Sequence, residues 1–462
     1  MWKSLWKSAE WAFEGYAKYA KDDRPFIIET LDRGPVVVLP PGQMKTVYKL
    51  PEERLDIFRT LNEVIQSRYT TRDYRAIHDP FHRHIIPSQL TRELDSFTTP
   101  LVTELAAGFE SLWGTELDWR EIPLWKACFG VVARVTNRSL CGVPLCRDEN
   151  YLNLLQDQSA SVFGGAILIN SVPSFIKPFM GQLVRWWCSY YSRKVDKICI
   201  PYIEKRIYET TDITAKAGND TEKDGLQLII DETLSRGDPS LLDAKLISDR
   251  LLVTNNASVH SVTLTVHNLV MDLATSDPSM GYVEALREEC REAFNSAGGV
   301  WTLNAVRKLK LVDSAIRESM RICPFGSVTM ARTVMDPSGI EIKYGDSKVN
   351  LPRGTTVALP MEAIHFDEGI YPNAHRFDPF RFANLEKPAT LTDDQFLGFG
   401  SSKSPCPGRF LAVHQMKLIM AHMLLNYDID YTGKRPELTS LVGMKVPRTD
   451  IVVRVRRRVH QK

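Results

Sequence analysis

A stretch near the carboxy-terminal end combines residue types suited to holding a metal-bound cofactor: Phe396, Leu397, Gly398, Phe399, Gly400, Ser401, Ser402, Lys403, Ser404, Pro405, Cys406, Pro407, Gly408, Arg409, Phe410, Leu411, Ala412. The loop is rich in Gly, Ser and Pro and carries one cysteine. It runs directly into apolar residues at helical spacing, from Arg409 to about Asn426. Cys406 therefore sits just before a helix N-terminus, where unpaired N–H groups and the macrodipole favour an anion. Such a setting lowers a thiol pKa, so Cys406 is expected to be available as a thiolate. Pro405 and Pro407 remove two N–H donors and stiffen the loop, while Gly408 lets another backbone approach closely. The arrangement suits an axial thiolate ligand to a haem iron, whose electron donation favours O–O cleavage. A buried structural cysteine is the alternative reading of the same residue.

A second candidate lies in the middle of the chain. From Leu241 to about Ser276 the pattern is helical for about 35 residues, or about 50 Å at 1.5 Å per residue. It ends at Asp277-Pro278, as the restriction on residues before proline predicts. Its flanks are rich in Leu, but its centre reads Asn255, Asn256, Ala257, Ser258, Val259, His260, Ser261. Small and polar residues in a buried helix are costly unless they are satisfied or face a cavity or ligand. A third candidate, Glu318 and Arg321, shares one face at i, i+3 of a helix spanning Leu309 to Cys323, which Pro324 stops.

The elements that must position these residues occupy a long chain. At 462 residues it calls for two domains or one large fold. Lys+Arg of 58 against Asp+Glu of 56 leaves no electrostatic footprint for nucleic acid. The eight cysteines form no CxxC pair and no regular framework, which points to reduced thiols. No run of about 18 apolar residues exists to span a membrane.

The first twenty or so residues read as an amphipathic helix, with Trp2, Leu5, Trp6, Ala9, Phe13, Tyr16 and Ala20 among lysines. It could lie on a membrane surface or pack on the body of the protein. Two short β patterns follow, Pro25–Leu31 and Pro35–Leu39, around the turn signal Asp32-Arg33-Gly34. The chain then turns helical to about Asn170, with expected breaks at Asp79-Pro80, Thr99-Pro100 and Gly142-Val143-Pro144. A metal site at His78 and His82 is disfavoured, because Asp79-Pro80 interrupts their helix. Ser171 to Val184 is an apolar connection broken by prolines, and Thr210 to Lys223 reads as a polar surface loop. Thr355–Leu359 reads as a strand, and Ile451–Val459, alternating Val with Arg, as an edge strand.

Phe399 seven residues before the cysteine, Gly408 two after it, and the continuation Arg409-Phe410-Leu411-Ala412 resemble the haem-binding loop of cytochromes P450. The resemblance is to a branch common in filamentous fungi and covers essentially Pro25 to the end. Two positions depart from it: Ser402 replaces a usual glycine, and Ser404 replaces a usual Arg or His. The segment from His260 to Val266 resembles the oxygen-side helix of fungal P450s, with His260 in the place of an acid and Ser261 in that of a threonine. A hydroxyl survives, so a proton relay through Ser261 and water is retained, and a histidine titrating near neutral pH could share it. Glu318-x-x-Arg321, some 85 residues before the cysteine, and Phe377-Asp378-Pro379-Phe380-Arg381-Phe382 resemble the family's structural network of Glu318, Arg321 and Arg381.

The resemblance further implies that Cys406 is the axial ligand of heme b, with Phe399, Ser404 and Gly408 in the loop around it. Arg332 matches an arginine that pairs with a haem propionate, a role suited to a guanidinium. Phe81 to Leu94 resembles a segment flanking the haem, where His82 or His84 could contact a propionate. Ser171 to Val184 resembles the substrate-access lid, which often touches the membrane.

The fold implied is mainly α with a small β region, the P450 fold, as one catalytic domain over residues 25–462 after an amino-terminal helix over 1–24. The activity implied is a haem-thiolate monooxygenase acting on a small apolar secondary metabolite. It would use O2 and electrons from NADPH through NADPH–cytochrome P450 reductase. An isomerisation, dehydration, cyclisation or oxidative coupling on the same fold is one alternative, and a non-catalytic haem-binding protein another. Members of this kind usually carry an amino-terminal membrane anchor, which this sequence lacks. The expected location is the cytosolic face of the endoplasmic reticulum membrane, or otherwise the cytoplasm.

Overall fold

The amino-terminal helix, Ser4–Lys18, buries one side of its amphipathic pattern: Ala12 and Tyr16 are inside, as is Ala20 just beyond. It lies against strand Phe26–Thr30, where a Cβ on Gly15 would fall 2.2 Å from the Phe26 ring. The Tyr16 hydroxyl donates to Asp367 at 2.7 Å, and Lys21 reaches the same carboxylate at 3.0 Å. Packing on the body therefore accounts for this apolar face, while Trp6 stays exposed. The computed structural model describes residues 3–31, 33–212, 223–401, 404–431, 433–441, 443–446 and 448–459. Trp2, Asp32, Ser402, Lys403 and most of the polar stretch from Thr210 to Lys223 lie outside the described residues.

Phe26–Thr30 and Gly34–Val38 form the expected antiparallel pair, with Gly34 at φ +71°, a conformation that costs glycine little. Gly34–Val38 runs parallel to Thr356–Leu359, which pairs with Thr329–Val334, and Leu55–Asp56 completes a five-stranded sheet. This small β region has its own core around Val36, Val38, Val357 and Leu359. The rest of the chain is mainly helical, in long elements that share one larger core. They include Leu94–Trp113, Leu124–Leu140, Glu149–Asn170, Lys177–Thr211, Ala244–Ala274, Lys310–Ile322 and Arg409–Asn426. The central helix, Ala244–Ala274, is capped by the Asp243 side chain at the Lys245 N–H and stops before Asp277-Pro278.

Two local expectations are corrected. No break occurs at Thr99-Pro100; Leu94–Trp113 runs through Pro100. Phe97, Leu101 and Leu105 stay buried on one side, and that packing outweighs the lost N–H bond. The carboxy-terminal strand, Val452–Arg457, is not an edge but the middle of a three-stranded sheet between Tyr427–Asp430 and Arg120–Pro123. Val453 and Val455 face the core, and Arg454 and Arg456 lie on the open face near Trp119. One-sided burial, which an antiparallel sheet permits, produces the alternation that resembles an edge.

Candidate active site

The cysteine loop is a short hairpin in which Gly400–Ser401 pairs with Ser404–Pro405. Gly400 takes φ +90° as its N–H turns back to the Leu397 carbonyl at 2.9 Å. The Cys406 N–H donates to the Phe399 carbonyl at 2.7 Å, so Phe399 fixes the cysteine through its backbone. Helix Arg409–Asn426 begins three residues later, with Gly408 as its N-cap. Of the eight cysteines, seven are buried and Cys406 is exposed. Its sulfur is nevertheless recessed among protein atoms, and desolvation pushes the thiol above its ordinary pKa. The Gly408 and Arg409 amides oppose this by donating to it. The helix terminus therefore does not make a thiolate unaided, contrary to the expectation from sequence. A coordinated metal cation deprotonates a thiol outright, so the loop still suits ligation.

Behind this loop stands the charge network expected from the sequence. Glu318 accepts from Arg321 Nε and Nη2, both at 2.8 Å, and from Arg381 Nε at 3.1 Å, with Glu318 and Arg321 fully buried. Arg321 Nη1 donates to the carbonyls of His365 and Ala374, each at 2.7 Å. His365 was not singled out as a site residue from sequence, yet it links the network to the loop. Its Nε2 accepts from the Leu397 N–H at 3.0 Å, and its ring lies parallel to Phe396 at 5.5 Å. Burial holds His365 neutral, with a pKa near 3, as that acceptor role requires. No local pattern signals this residue; its function arises from a bond across 32 positions.

A buried and a half-buried guanidinium group border one short helix, Ile57–Val64. Arg332, on strand Thr329–Val334, is 3% exposed, lies over the Tyr48 ring, and leaves Nη2 without a partner. Arg83, on helix His82–Arg92, lies over Phe58 and leaves Nη1 buried without a partner. Burial lowers the pKa of both. Neither guanidinium has an ion-pair partner among the described residues, and Glu52 and Asp56 act on Arg332 only from a distance, so this corner is suited to an anion. His84 is exposed on the same helix, near Glu52, which also senses Arg332. His82 is turned into the core, with Nδ1 3.2 Å from Arg250 Nη1 and a pKa near 3. Ser404 is placed by its backbone in the hairpin opposite Ser401.

The central helix separates its two candidate residues. Ala257 and Ser261 are exposed one turn apart, whereas Val259, Val262, Thr263 and Leu264 are buried. The Ser261 hydroxyl donates to the carbonyls of Ala257 at 3.2 Å and Ser258 at 3.4 Å. His260 points elsewhere: its Nε2 is 2.6 Å from the Ser159 hydroxyl, and its ring packs between Phe129 and Phe163. Desolvation lowers its pKa to about 4, so His260 is neutral where a free histidine would titrate. The expectation that it titrates near neutral pH is corrected. Asn255 and Asn256 are satisfied by Asn137 and Gln158, so part of the polar centre is ordinary helix packing.

The central helix packs on Lys310–Ile322 and Arg409–Asn426, which places the accessible Ser261 turn and the cysteine loop on contiguous elements. Residues 135–453 match the family described as Cytochrome P450. The chain belongs to the cytochrome P450 family. It is 36% identical to cytochrome P450 monooxygenase okaG of Penicillium ochrochloron, over 99% of this chain and 90% of that protein. It is also 29% identical to cytochrome P450 monooxygenase gloP of Glarea lozoyensis, over 96% of this chain and 86% of that protein. A third relative, cytochrome P450 monooxygenase htyF of Aspergillus rugulosus, is 31% identical over 90% of this chain and 64% of its own length. As a P450 it is a monooxygenase that uses haem iron on a cysteine thiolate, acts on small molecules and works with a redox partner. The chain fits that cofactor: one reachable cysteine, and orphaned guanidinium nitrogens on Arg332 and Arg83 suited to propionates.

Proposed function

We propose that Cys406 is the axial ligand of heme b in this P450, and that the enzyme oxidises a small apolar secondary metabolite. Electrons come from NADPH through NADPH–cytochrome P450 reductase. The observation that carries the reading is that Cys406 alone among eight cysteines is reachable, at the turn between the hairpin and its helix. The bound haem supplies oxygen activation. The chain's own residues do the rest. Arg332 and Arg83 would neutralise the propionates, with His84 beside them, while Ser404 belongs to the cysteine hairpin through its backbone. The Glu318 network, through His365, sets the height of the loop that carries Phe399, Cys406 and Gly408. Consumption of NADPH with product formation, in the presence of reductase and a candidate substrate, tests the reading; a Soret shift on ligand addition selects the candidate.

Arg332→Ala is expected to lower the haem-to-protein ratio severalfold after gel filtration, and Arg83→Ala comparably, while His84→Ala leaves it near wild type. Each removed cation costs a charge-assisted bond of about 1.5–3 kcal/mol. Wild-type haem content in both arginine variants contradicts the assignment.

Ser261 exposes its hydroxyl on the accessible strip, where it can hold a water at the oxygen-binding side while keeping a bond to Ala257. His260 contributes no charge there, since burial keeps it neutral. Ser261→Ala is expected to divert NADPH equivalents into hydrogen peroxide, raising peroxide per NADPH while product formation slows about 100-fold or more, the lower range of general acid–base effects. Unchanged coupling locates proton delivery elsewhere. It would also favour the second reading, a rearrangement or coupling that needs no water-derived protons, which a neutral His260 turned toward Ser159 already suits.

The enzyme is proposed to rest on the cytosolic face of the endoplasmic reticulum membrane. Among the described residues no helix is long and apolar enough to cross a membrane. The surface that supports contact is helix Lys177–Thr211 and its approach. Phe175 (83% exposed), Phe179, Leu183, Trp186 and Tyr190 recur on one face, with Arg185, Arg193 and Lys194 exposed beside them. No acid interrupts this helix before Asp196. Aromatic residues with flanking cations suit a bilayer interface. Replacing Phe179 and Trp186 together by glutamate is expected to weaken binding to anionic liposomes at least about 100-fold, since each buried aromatic contributes about 1.5–3 kcal/mol. Haem content should not change. Undiminished liposome binding contradicts this surface.

A further inference from the structure

Helices Glu149–Asn170 and Lys177–Thr211 form a hairpin; Lys177–Thr211 meets the amino-terminal half of Ala244–Ala274, where Ser248 bonds Asp196, and Glu149–Asn170 meets its centre over a smaller area. Two polar bridges from one turn of Glu149–Asn170 lie at that central meeting. The Asn256 amide donates to Gln158 at 3.2 Å, and the Ser159 hydroxyl lies 2.6 Å from His260 Nε2. Ser159 is buried at 2% exposure. The imidazole it touches is enclosed by Phe129 and by Phe163, which lies on the same helix as Ser159. A neutral imidazole exists as two tautomers, and a hydrogen bond to one ring nitrogen selects between them and fixes the ring plane.

His260 directly precedes Ser261, whose hydroxyl is held by the carbonyls of Ala257 and Ser258 in the same turn. We propose that Ser159 is a positioning residue of this enzyme: from the hairpin it locks the His260 ring and thereby the turn of the central helix that presents Ser261. The assignment rests on the reading of Ser261 given above. It makes the state of Glu149–Asn170 felt at Ser261 through one side-chain bond.

The test uses the full-length holoenzyme labelled with 15N-histidine, as the reduced carbon monoxide complex, with His260→Gln identifying the His260 signals. Wild type is expected to show one tautomer of His260. Ser159→Ala should release the preference by about fivefold, the effect of one neutral hydrogen bond, and Ser159→Thr should restore it. In parallel, peroxide released per NADPH oxidised, with reductase present and no added substrate, should rise in Ser159→Ala and return in Ser159→Thr, at unchanged haem content and melting temperature. An unaltered tautomer ratio in Ser159→Ala overturns the proposal, as does a peroxide yield that threonine fails to restore. If Ser261→Ala itself leaves the peroxide yield unchanged, the reading of Ser261 falls, and the positioning role falls with it even where the tautomer is fixed.

Discussion

Replacing Glu318 by alanine is expected to leave little haem-loaded, folded enzyme. The carboxylate is fully buried and receives both Arg321 and Arg381, together with the Asp378 N–H at 3.1 Å. Removing it strands a fully buried guanidinium and a nearly buried one, at a cost of about 3–5 kcal/mol. That is a large share of the 5–15 kcal/mol by which a native protein is stable. The damage should also reach the cofactor loop, because Arg321 holds the His365 carbonyl while the His365 ring holds the Leu397 N–H. Glu318→Gln preserves the shape but leaves the two cations uncompensated, so it should be intermediate. The measurement is a thermal melt with the haem-to-protein ratio of the purified variants. A Glu318→Ala protein with wild-type melting temperature and haem content would remove this network from the account.

Features set by neighbours along the chain were legible in the sequence. Asp277-Pro278 ends the central helix, Glu318 and Arg321 share one helix face, and the apolar run after Gly408 is a helix. Features set by burial and by distant partners were not. A helix terminus suggests a low thiol pKa at Cys406, but desolvation, a property of the assembled fold, wins. His260 reads as a titrating group until Phe129, Phe163 and Ser159 surround it from other helices. His84 and Arg83 are adjacent in sequence, so only the phase of their helix decides which is exposed and which is half-buried with an unpartnered Nη1. The amphipathic amino-terminal helix reads equally as an interfacial or a docked element; Tyr16, bonded to Asp367 more than 300 residues away, docks one face on the body, while Trp6 stays exposed. The aromatic face of Lys177–Thr211 is an apolar surface left open. Two cations could offset the serine at 404: Lys403 lies outside the described residues, and Arg332, buried over the Tyr48 ring, is the one proposed to meet a propionate.

The central claim is that Cys406 supplies the thiolate to the haem iron. Serine at this position keeps the size of the side chain and leaves the hairpin bonds of Gly400 and Phe399 untouched, since these are made by backbone atoms. Its hydroxyl is a far weaker electron donor than a thiolate. The seven remaining cysteines are buried and cannot reach the same position without rebuilding the core. The most direct measurement is the absorbance spectrum of the reduced carbon monoxide complex of Cys406→Ser beside wild type and Cys323→Ser. Wild type and Cys323→Ser are predicted to show the red-shifted Soret band of a thiolate-ligated haem. Cys406→Ser is predicted to lose that band, and a red-shifted band retained in Cys406→Ser would contradict the account.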